Sequence, residues 1–192
     1  MDIVMLAGSR HIHALPLSAS EKVRELVAQG TWFIVGDASG VDAAFQTLLA
    51  SLHYKRVVVF TALEEPRNNV GGWEVRRIDS GLKSKGAAMH TAKDRRMVRV
   101  AVSGLMVWDC SSPGTLANVI DFVDEGKSCF VWSPDDDWLW TMDSPQQLEK
   151  WTATYPETTA EARVRLRRWS KRSAQQMSSA SENLFPDLGH SA

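Results

Sequence analysis

The sequence lacks any apolar run approaching the ~20 residues that a helix needs to cross a bilayer. Its N-terminus has neither the basic leader nor the cleavage pattern of a signal peptide. It also lacks a charge excess, because 22 basic and 23 acidic residues give a formal net charge of −1 and no global field to hold a nucleic-acid backbone. We therefore expect a cytoplasmic protein with no membrane partner, and nucleic acid is not the expected partner.

Cysteine is scarce, with Cys110 and Cys129 as its two occurrences. Cys110 follows one predicted strand and Cys129 begins the next, so in parallel neighbours they would lie at opposite ends of the sheet, too far apart for a disulfide. A reducing compartment fits this usage. The five histidines show no paired Cys/His spacing, and the pair His11 and His13 alone is weak evidence for a metal. We predict no metal site and no cofactor.

Short apolar segments alternate with amphipathic ones over most of the 192 residues. Such an order predicts a parallel sheet with right-handed crossovers. The expected fold is an α/β, Rossmann-like three-layer domain with a mostly parallel central sheet of about five to six strands and a C-terminal helical extension. Strands are predicted over 2–7, 32–35, 57–60, 105–108 and 129–132, and helices over 17–29, 41–52, 90–102 and 115–125.

The chain changes character after residue 133. We predict a Rossmann-like nucleotide-binding domain over 1–133, a Trp-rich edge and C-terminal helical extension packed on it over 134–178, and a flexible tail over 179–192. Within the extension, 138–142 is predicted as an edge strand and 145–152 as a helix. The basic amphipathic stretch 157–177 predicts a helix that packs on the domain or on a second copy, with a nucleic-acid surface as the alternative.

Residues 61–87 are rich in glycine, proline and asparagine and poor in apolar residues. A connection this long in a compact domain is usually functional or mobile. We predict a short helix near 74–80 and a loop that could close over a ligand, with Trp73 able to stack on a base and Glu74 able to supply a carboxylate. Core packing is the favoured interpretation for each of the eight tryptophans taken singly, Trp73 included, because aromatic side chains bury a large area.

Three small, glycine-containing turns follow predicted strands and open predicted helices, at residues 7–10, 36–42 and 111–115. In an open α/β sheet such turns line one crevice, and helix starts there attract anions, above all phosphates. The candidate ligand-binding residues of these turns and of the helix after the last one are Gly8, Ser9, Arg10, Gly36, Asp37, Ser39, Gly40, Asp42, Ser112, Gly114, Thr115 and Asn118.

Several of these side chains have a second interpretation. Arg10 can grip a phosphate with its planar fork, while the residues before it could simply turn the chain. Asp42 could contact a ribose hydroxyl or cap a helix, and Asp109 could be a catalytic carboxylate or an anchor for its turn. Residues 36–42 have neither a Walker lysine nor the spacing of a dinucleotide fingerprint.

Residues 8–10, 36–42, 93–97 and 112–115, in that order, resemble the SLOG superfamily over about residues 2–133. This superfamily groups the DNA-processing protein A fold with the Lonely Guy phosphoribohydrolases, and the small YspA-like proteins are the most similar branch. The resemblance implies a Rossmann-like fold, a nucleotide or nucleotide-derived ligand, and a dimer or larger homo-oligomer. It also implies that Lys93 binds the ligand.

Lonely Guy members cleave the N-glycosidic bond of nucleoside 5′-monophosphates with an Arg-Lys-x-x-Met helix motif and a Gly-Gly-x-Gly-Thr-x-x-Glu loop. Counted from Met97, this chain has Lys93 and Asp94 at the Arg and Lys positions, and Asn118 replaces the glutamate. Because cleavage passes through an oxocarbenium-like state that a carboxylate stabilises, another acid would have to substitute. The candidate catalytic residues are Asp94, Asp109 and Glu74.

Three functions follow as hypotheses. The first is a nucleotide-binding hydrolase, a phosphoribohydrolase-like N-glycosidase. The second is a non-catalytic sensor of an NAD-derived or cyclic nucleotide, which the neutral Asn118 favours. The third and weaker is a DNA-binding module, for which the basic run at 163–172 is the main argument.

Overall fold

The computed structural model describes residues 2–78 and 87–173. Apolar runs become strands and amphipathic stretches become helices, as the sequence pattern predicts. In chain order, the elements are β1 (Ile3–Gly8), α1 (Leu17–Ala28), β2 (Trp32–Gly36), α2 (Val41–Ser51), β3 (Val57–Thr61), β4 (Glu74–Arg77), α3 (Ala87–Val100), β5 (Ser103–Val107), α4 (Pro113–Asp124), β6 (Ser128–Ser133), β7 (Trp138–Met142), α5 (Pro145–Thr152) and α6 (Pro156–Ser173).

The strands form one sheet in the order β4-β3-β2-β1-β5-β6-β7. All neighbours pair in parallel except β6 and β7, which are antiparallel. This confirms the Rossmann-like, mostly parallel α/β fold. The described ranges contribute seven strands to the sheet, however, rather than about five to six.

The helix expected near residues 74–80 is wrong, because β4 occupies Glu74–Arg77 and pairs with the outer edge of β3. The strand is short and its sequence is charged, as is typical of sheet edges that must not pair with other chains. Val75 lies beside the buried Val59. β4 is a strand because it pairs with the edge of β3, and the local sequence pattern does not predict that pairing.

Each central strand buries both of its faces, since successive side chains point in opposite directions. Val4 and Leu6 pack in the cluster that contains residues of α1 and α2. Met5 and Ala7 pack in the cluster that contains residues of α3, α4, α5 and α6. The sheet is therefore the middle of three layers.

Helix starts differ in how they are capped. No side chain caps the start of α1, which begins at Leu17 after Pro16. Ser20 lies inside the first turn, where its hydroxyl donates to the Pro16 carbonyl (3.1 Å). In α4, by contrast, Ser112 accepts from the Thr115 N–H (3.4 Å), and Pro113 occupies the first turn as its fixed φ favours.

The C-terminal elements share the core of the domain. β7 extends the sheet, and Ala162 and Leu166 of α6 belong to the same buried cluster as Leu116 of α4. Division of the chain at residue 133 stays a prediction, and the expected flexible tail, 179–192, lies outside the described residues. No helix in the described ranges is both long and apolar enough to cross a membrane.

The strand order reverses direction at one place. β1 to β4 extend the sheet one way, and the chain then returns to place β5 on the other side of β1. Ligands of open α/β sheets bind at such a reversal, outside the carboxyl ends of the strands. That position is the gap between the ends of β1 and β5.

Candidate functional site

A cavity of about 520 Å³ opens at the carboxyl ends of β1 and β5. Its volume falls within the range of small-molecule sites. Its wall combines residues from the turns after β1, β2 and β5, from α3 and α4, from the loop that follows β3, and from α6. Residues far apart in the sequence therefore meet at the reversal of the strand order.

The turns that line this cavity hold one another in place. The Ser9 N–H donates to the Val107 carbonyl (2.9 Å), and the Val41 N–H donates to the Ser9 carbonyl (3.0 Å). A Cβ on Gly40, whose φ is +76°, would lie 2.5 Å from the Arg10 carbonyl oxygen. A Cβ on Gly8 would lie 2.3 Å from the Val107 carbonyl oxygen. Glycine is thus needed at both positions for the backbones to approach.

Asp109 ties the turn after β5 to the turn after β1. Its carboxylate accepts hydrogen bonds from the Ser9 hydroxyl, from the Ser111 and Ser112 N–H groups (3.1 and 2.7 Å), and from His11 Nδ1 (3.0 Å). Burial would raise the pKa of Asp109, but the bonds from Ser9 and His11 hold it at about 2. Asp109 is therefore an ionised anchor without a proton to donate at neutral pH.

Lys93 on α3 is a buried cation in the cavity wall, with 4% of its surface exposed. Its ammonium contacts the Asp94 carboxylate (3.1 Å) and the Met97 sulfur (3.7 Å). Burial would lower the pKa of Lys93, but Asp94 and Asp42 raise it above its ordinary value. The site thus has a fixed positive charge at its floor.

Asp42 lies beside this cation in the first turn of α2. Its Oδ2 accepts from the Ala38 N–H (3.2 Å), so it braces the turn before the helix, whereas Gly40 occupies the N-cap position. Burial raises the pKa of Asp42 to about 6, although Lys93 acts to lower it. A carboxyl group with this pKa can hold a proton close to neutral pH.

Asp37 is not part of the cavity wall but holds a residue that is. Its buried carboxylate binds Arg67 through Nη2 (2.8 Å) and Nε (3.2 Å) and accepts from the Thr61 hydroxyl (3.0 Å). Burial would raise the pKa of Asp37, but the bonds from Arg67 lower it to about 2. The pair fastens the loop after β3 to the turn after β2, and it directs Arg67 into the cavity wall.

Two arginines, Arg10 and Arg165, line the cavity. Arg10 lines the cavity from the turn after β1 with an exposed side chain. Arg165 of α6 lines it from the other side, and its Nη1 is 3.5 Å from the point that a Cβ on Gly114 would occupy. Helix starts and guanidinium groups both favour phosphate.

His90 of α3 adds a polar atom that has no partner. Its Nδ1 is buried in the cavity wall without a hydrogen bond. Burial lowers the pKa of His90, and the nearby cations Arg67 and Lys93 lower it further. A neutral imidazole with an unsatisfied nitrogen is a group that a ligand could satisfy.

The predicted site residues divide into three groups. Those that line the cavity are Gly8, Arg10, Asp42, Lys93, Asp94, Ser112, Gly114, Thr115 and Asn118. Those that belong to the turns around it without forming its wall are Ser9, Gly36, Asp37, Ser39, Gly40 and Asp109. Glu74 lies on β4, at the far edge of the sheet, where it pairs with Arg76 (2.7 Å).

The loop after β3 does not present Trp73 for stacking on a base. Trp73 is buried, and its indole N–H donates to the Tyr54 carbonyl (2.8 Å). Asn69 holds the Trp73 backbone by two hydrogen bonds (2.8 and 2.9 Å). Core packing, the favoured interpretation, is therefore confirmed for Trp73, and neither Trp73 nor Glu74 lines the cavity.

Sequence reasoning did not name His90, Arg67 or Arg165 as ligand-binding candidates, although Arg165 lies in the basic stretch 157–177 that is predicted to pack on the domain or on a second copy. Their positions depend on how α3, α6 and the loop after β3 pack, which no local pattern reports. The abundance of basic residues in α6 was the available signal. No group of three or more side chains able to hold a metal ion occurs in the described part of the chain.

Comparisons with known proteins identify a solved structure that shares the fold of this chain. No protein-family model matches the chain, and no curated protein matches it. Among solved structures, DNA processing protein A from Helicobacter pylori, described for its unique single-stranded DNA binding mode, matches with a TM-score of 0.51 and 20% identity. The match covers 68% of this chain and 64% of that one, so this chain spans less than two thirds of that protein. The chain thus has the Rossmann-like fold found in DNA processing protein A.

Proposed function

We propose that the cavity binds a nucleotide or a nucleotide-derived phosphorylated small molecule. The observation that carries the proposal is that Arg10, the buried Lys93 and the start of α4 face one cavity at the reversal of the strand order. These groups suit a phosphate. The volume of about 520 Å³ suits a small molecule.

Titration calorimetry with nucleoside 5′-monophosphates and NAD tests this proposal. We expect Arg10→Ala to weaken binding about tenfold or more, since a charge-assisted hydrogen bond is lost. The side chain is exposed, so the melting temperature should not change. Arg24→Ala is the matched control, because Arg24 is an equally exposed cation on α1, in the opposite layer. Equal weakening by both variants, or unfolding by Arg10→Ala, would contradict the proposed site.

We further propose that the ligand is hydrolysed at its N-glycosidic bond. Water would add across the bond, with the hydroxyl going to C1′ of the ribose and the proton to the leaving base. Asp94, in the cavity wall beside Lys93, would stabilise the oxocarbenium-like state, and Asp42, whose pKa is about 6, would donate the proton. Two carboxyl groups in such different environments are the pattern of an acid–base pair.

Chromatography of the incubated nucleotides tests for free base and ribose 5-phosphate. Asp94→Asn and Asp42→Asn should each lower turnover by about 100-fold or more. Glu74→Gln is the control, since Glu74 lies at the sheet edge, and its turnover should equal that of the wild type. If nucleotide binds and no base is released, the protein is a non-catalytic sensor, which the neutral Asn118 in the wall favours.

DNA is the alternative ligand. The likeness to a single-stranded DNA-binding protein makes nucleic acid a partner to be tested, although the fold alone is shared at 20% identity. The net charge of −1 argues against a sequence-independent DNA surface. Retention of a labelled oligonucleotide that falls steeply with salt would favour this alternative.

The motif order also supports assignment to the YspA-like branch of the SLOG superfamily. We propose a homo-oligomer in addition, because Trp138 and Trp140 on the edge strand β7 are 64% and 40% exposed. Exposed aromatic groups on a sheet edge are typical of an interaction surface. Light scattering after gel filtration tests this, and a monomer mass at micromolar concentration would contradict it.

A further inference from the structure

His11 brings an imidazole to the cavity wall from the turn after β1. Its Nδ1 is 3.0 Å from Oδ2 of Asp109, which lies in the turn after β5. The contact therefore joins the ends of the two strands between which the cavity opens. Because 81% of the His11 side chain is exposed, the rest of the ring is accessible to water.

Both members of this pair are held by further hydrogen bonds. Oδ2 of Asp109 also accepts from the Ser9 hydroxyl, and its Oδ1 accepts from the N–H groups of Ser111 and Ser112 (3.1 and 2.7 Å). The Ser9 hydroxyl in turn accepts from the His11 backbone N–H (3.1 Å). The carboxylate and the backbone that carries the imidazole are thus fixed relative to each other.

The ionised carboxylate decides which ring nitrogen of His11 carries hydrogen. Burial opposes the ionisation of Asp109, but its hydrogen bonds hold the pKa at about 2, so at neutral pH it accepts hydrogen bonds and donates none. The Nδ1 that faces it must therefore carry the hydrogen. In the neutral imidazole, Nε2 is then the basic nitrogen.

We propose that His11 is a general base of the cavity and that Asp109 is its positioning residue. The inference rests on the proposed hydrolysis, in which Asp94 stabilises the oxocarbenium-like state and Asp42 protonates the leaving base. It adds the group that takes a proton from the attacking water. An imidazole suits this step because it exchanges protons near neutral pH.

The step balances with these groups. One O–H bond of the water breaks, and its proton goes to Nε2 of His11 as the oxygen bonds to C1′ of the ribose. The bond from C1′ to the base breaks with its electron pair going to the base, which takes the proton of Asp42. The imidazolium that forms lies beside the Asp109 carboxylate, which stabilises it. Loss of a proton from His11 to solvent and uptake of one by Asp42 restore the starting state.

Long-range ¹⁵N–¹H NMR of histidine-labelled protein reads the tautomer of His11 without any ligand. At a pH where the ring is neutral, Nδ1 should have the shift of a protonated nitrogen and Nε2 that of an unprotonated one. Asp109→Asn should reverse this, because the Ser111 and Ser112 N–H groups keep the amide oxygen and the amide nitrogen then donates to Nδ1. A wild-type His11 that carries its hydrogen on Nε2 would overturn the positioning by Asp109.

Single-turnover kinetics with nucleoside 5′-monophosphates test the general base. His11→Ala should lower the rate of base release by about 100-fold or more. Its Kd for the nucleotide should not change, since the lost group acts on water, and added imidazole should restore part of the rate. The exposed position should let the variant fold. His13→Ala is the matched control, because His13 is an exposed histidine of the same loop outside the cavity wall, and its rate should equal that of the wild type.

The outcomes separate this inference from the proposed function. If the wild type releases base and His11→Ala releases it equally fast, the general base is overturned and the hydrolysis stands. If His11→Ala is slow only because the nucleotide no longer binds, His11 is a ligand contact and the general base is again overturned. If the wild type binds nucleotide and releases no base, the hydrolysis and the general base fail together, whereas the Nδ1–H tautomer would still confirm the positioning by Asp109.

Discussion

The surroundings of the cavity shift the pKa values of its carboxyl groups in opposite directions. Asp109 accepts four hydrogen bonds and keeps a pKa of about 2, whereas the pKa of Asp42 rises to about 6 with burial. One is fixed as an anion that positions two turns, and the other can change its charge close to neutral pH. Their roles follow from partners rather than from residue type.

Asp42→Asn should alter how stability depends on pH. The native pKa of Asp42, about 6, lies above its ordinary value of 3.8, so the native state holds this proton more tightly than the unfolded state. Stability from this group is full below about pH 4 and is lost as the pH rises through about 6. The difference corresponds to about 3 kcal/mol.

Urea unfolding between pH 4.5 and 7.5 measures the effect. The free energy of unfolding of Asp42→Asn, relative to the wild type, should rise by about 2–3 kcal/mol over this range. The amide keeps an acceptor for the Ala38 N–H, so the turn itself should persist. A difference that is constant with pH would show that Asp42 is not buried as described.

Asp109→Ala should destabilise the fold. Removing the carboxylate leaves the donors of Ser9, Ser111 and Ser112 without their partner, at a cost of about 2–4 kcal/mol in unfolding free energy. Chemical denaturation measures it, and Glu74→Ala, which removes an exposed ion pair, should cost less than about 0.5 kcal/mol. An Asp109 variant as stable as the wild type would argue against an anchoring role.

At the scale of elements, the close approach of β1 to β5 requires a residue without a side chain at Gly8. Gly8→Ala would place a Cβ 2.3 Å from the Val107 carbonyl oxygen, which belongs to backbone and cannot rotate away. We expect a loss of about 3 kcal/mol or more in unfolding free energy. The Cβ of Gly114→Ala would meet Arg165 Nη1 at 3.5 Å and Ser112 Oγ at 4.0 Å, both ordinary contacts, so the change should cost nothing or stabilise α4 slightly.

Thermal and urea unfolding of the two glycine variants provide the comparison. If Gly8→Ala is tolerated as well as Gly114→Ala, the end of β1 does not approach β5 as closely as the structure has it. The pair therefore tests the packing of the two strands between which the cavity opens.

The sequence predicts the elements whose signals are local. Gly30 and Gly126, both with positive φ, follow the ends of α1 and α4, and the apolar runs mark the central strands. The sequence does not predict β4, because Val75 is its single apolar residue and one apolar residue gives no periodicity. The strand forms because it pairs with the edge of β3. Strand pairing joins residues that are distant in the chain, so a short stretch of sequence does not predict it.

The sequence likewise predicts the parts of the site that have local signals. Turns rich in glycine identified Gly8, Gly114 and Thr115 because close backbone approach needs small residues. Glu74 was misplaced because the loop after β3 folds back onto the sheet. The sequence could not show that Asp109 is an ionised anchor, because its partner Ser9 is 100 residues away in the chain.

Binding should stabilise the molecule as a whole, because the cavity wall draws on both halves of the sheet and on helices of both layers. At a ligand concentration of about 100 times Kd, the native state gains roughly 2.7 kcal/mol. For a chain of this size, that gain corresponds to a rise in melting temperature of roughly 5–10 °C. Differential scanning fluorimetry with nucleoside monophosphates measures the shift.

A contrary result would be a nucleotide that binds by calorimetry and leaves the melting transition unmoved. Binding would then be confined to a part of the chain that unfolds separately from the sheet. Added salt should weaken the shift only modestly, since a single small anion releases few counterions compared with a DNA strand.

The central place of β1 has a consequence for how the protein is made. The strand lies between β2 and β5, yet Ser103–Val107 of β5 lie about a hundred residues further along the chain. At ribosomal speeds of ~5–20 residues per second, β1 waits roughly 5–20 s for its second neighbour. During that interval the growing polypeptide exposes an unpaired, apolar strand edge, the kind of edge that can pair with another chain until β5 covers it.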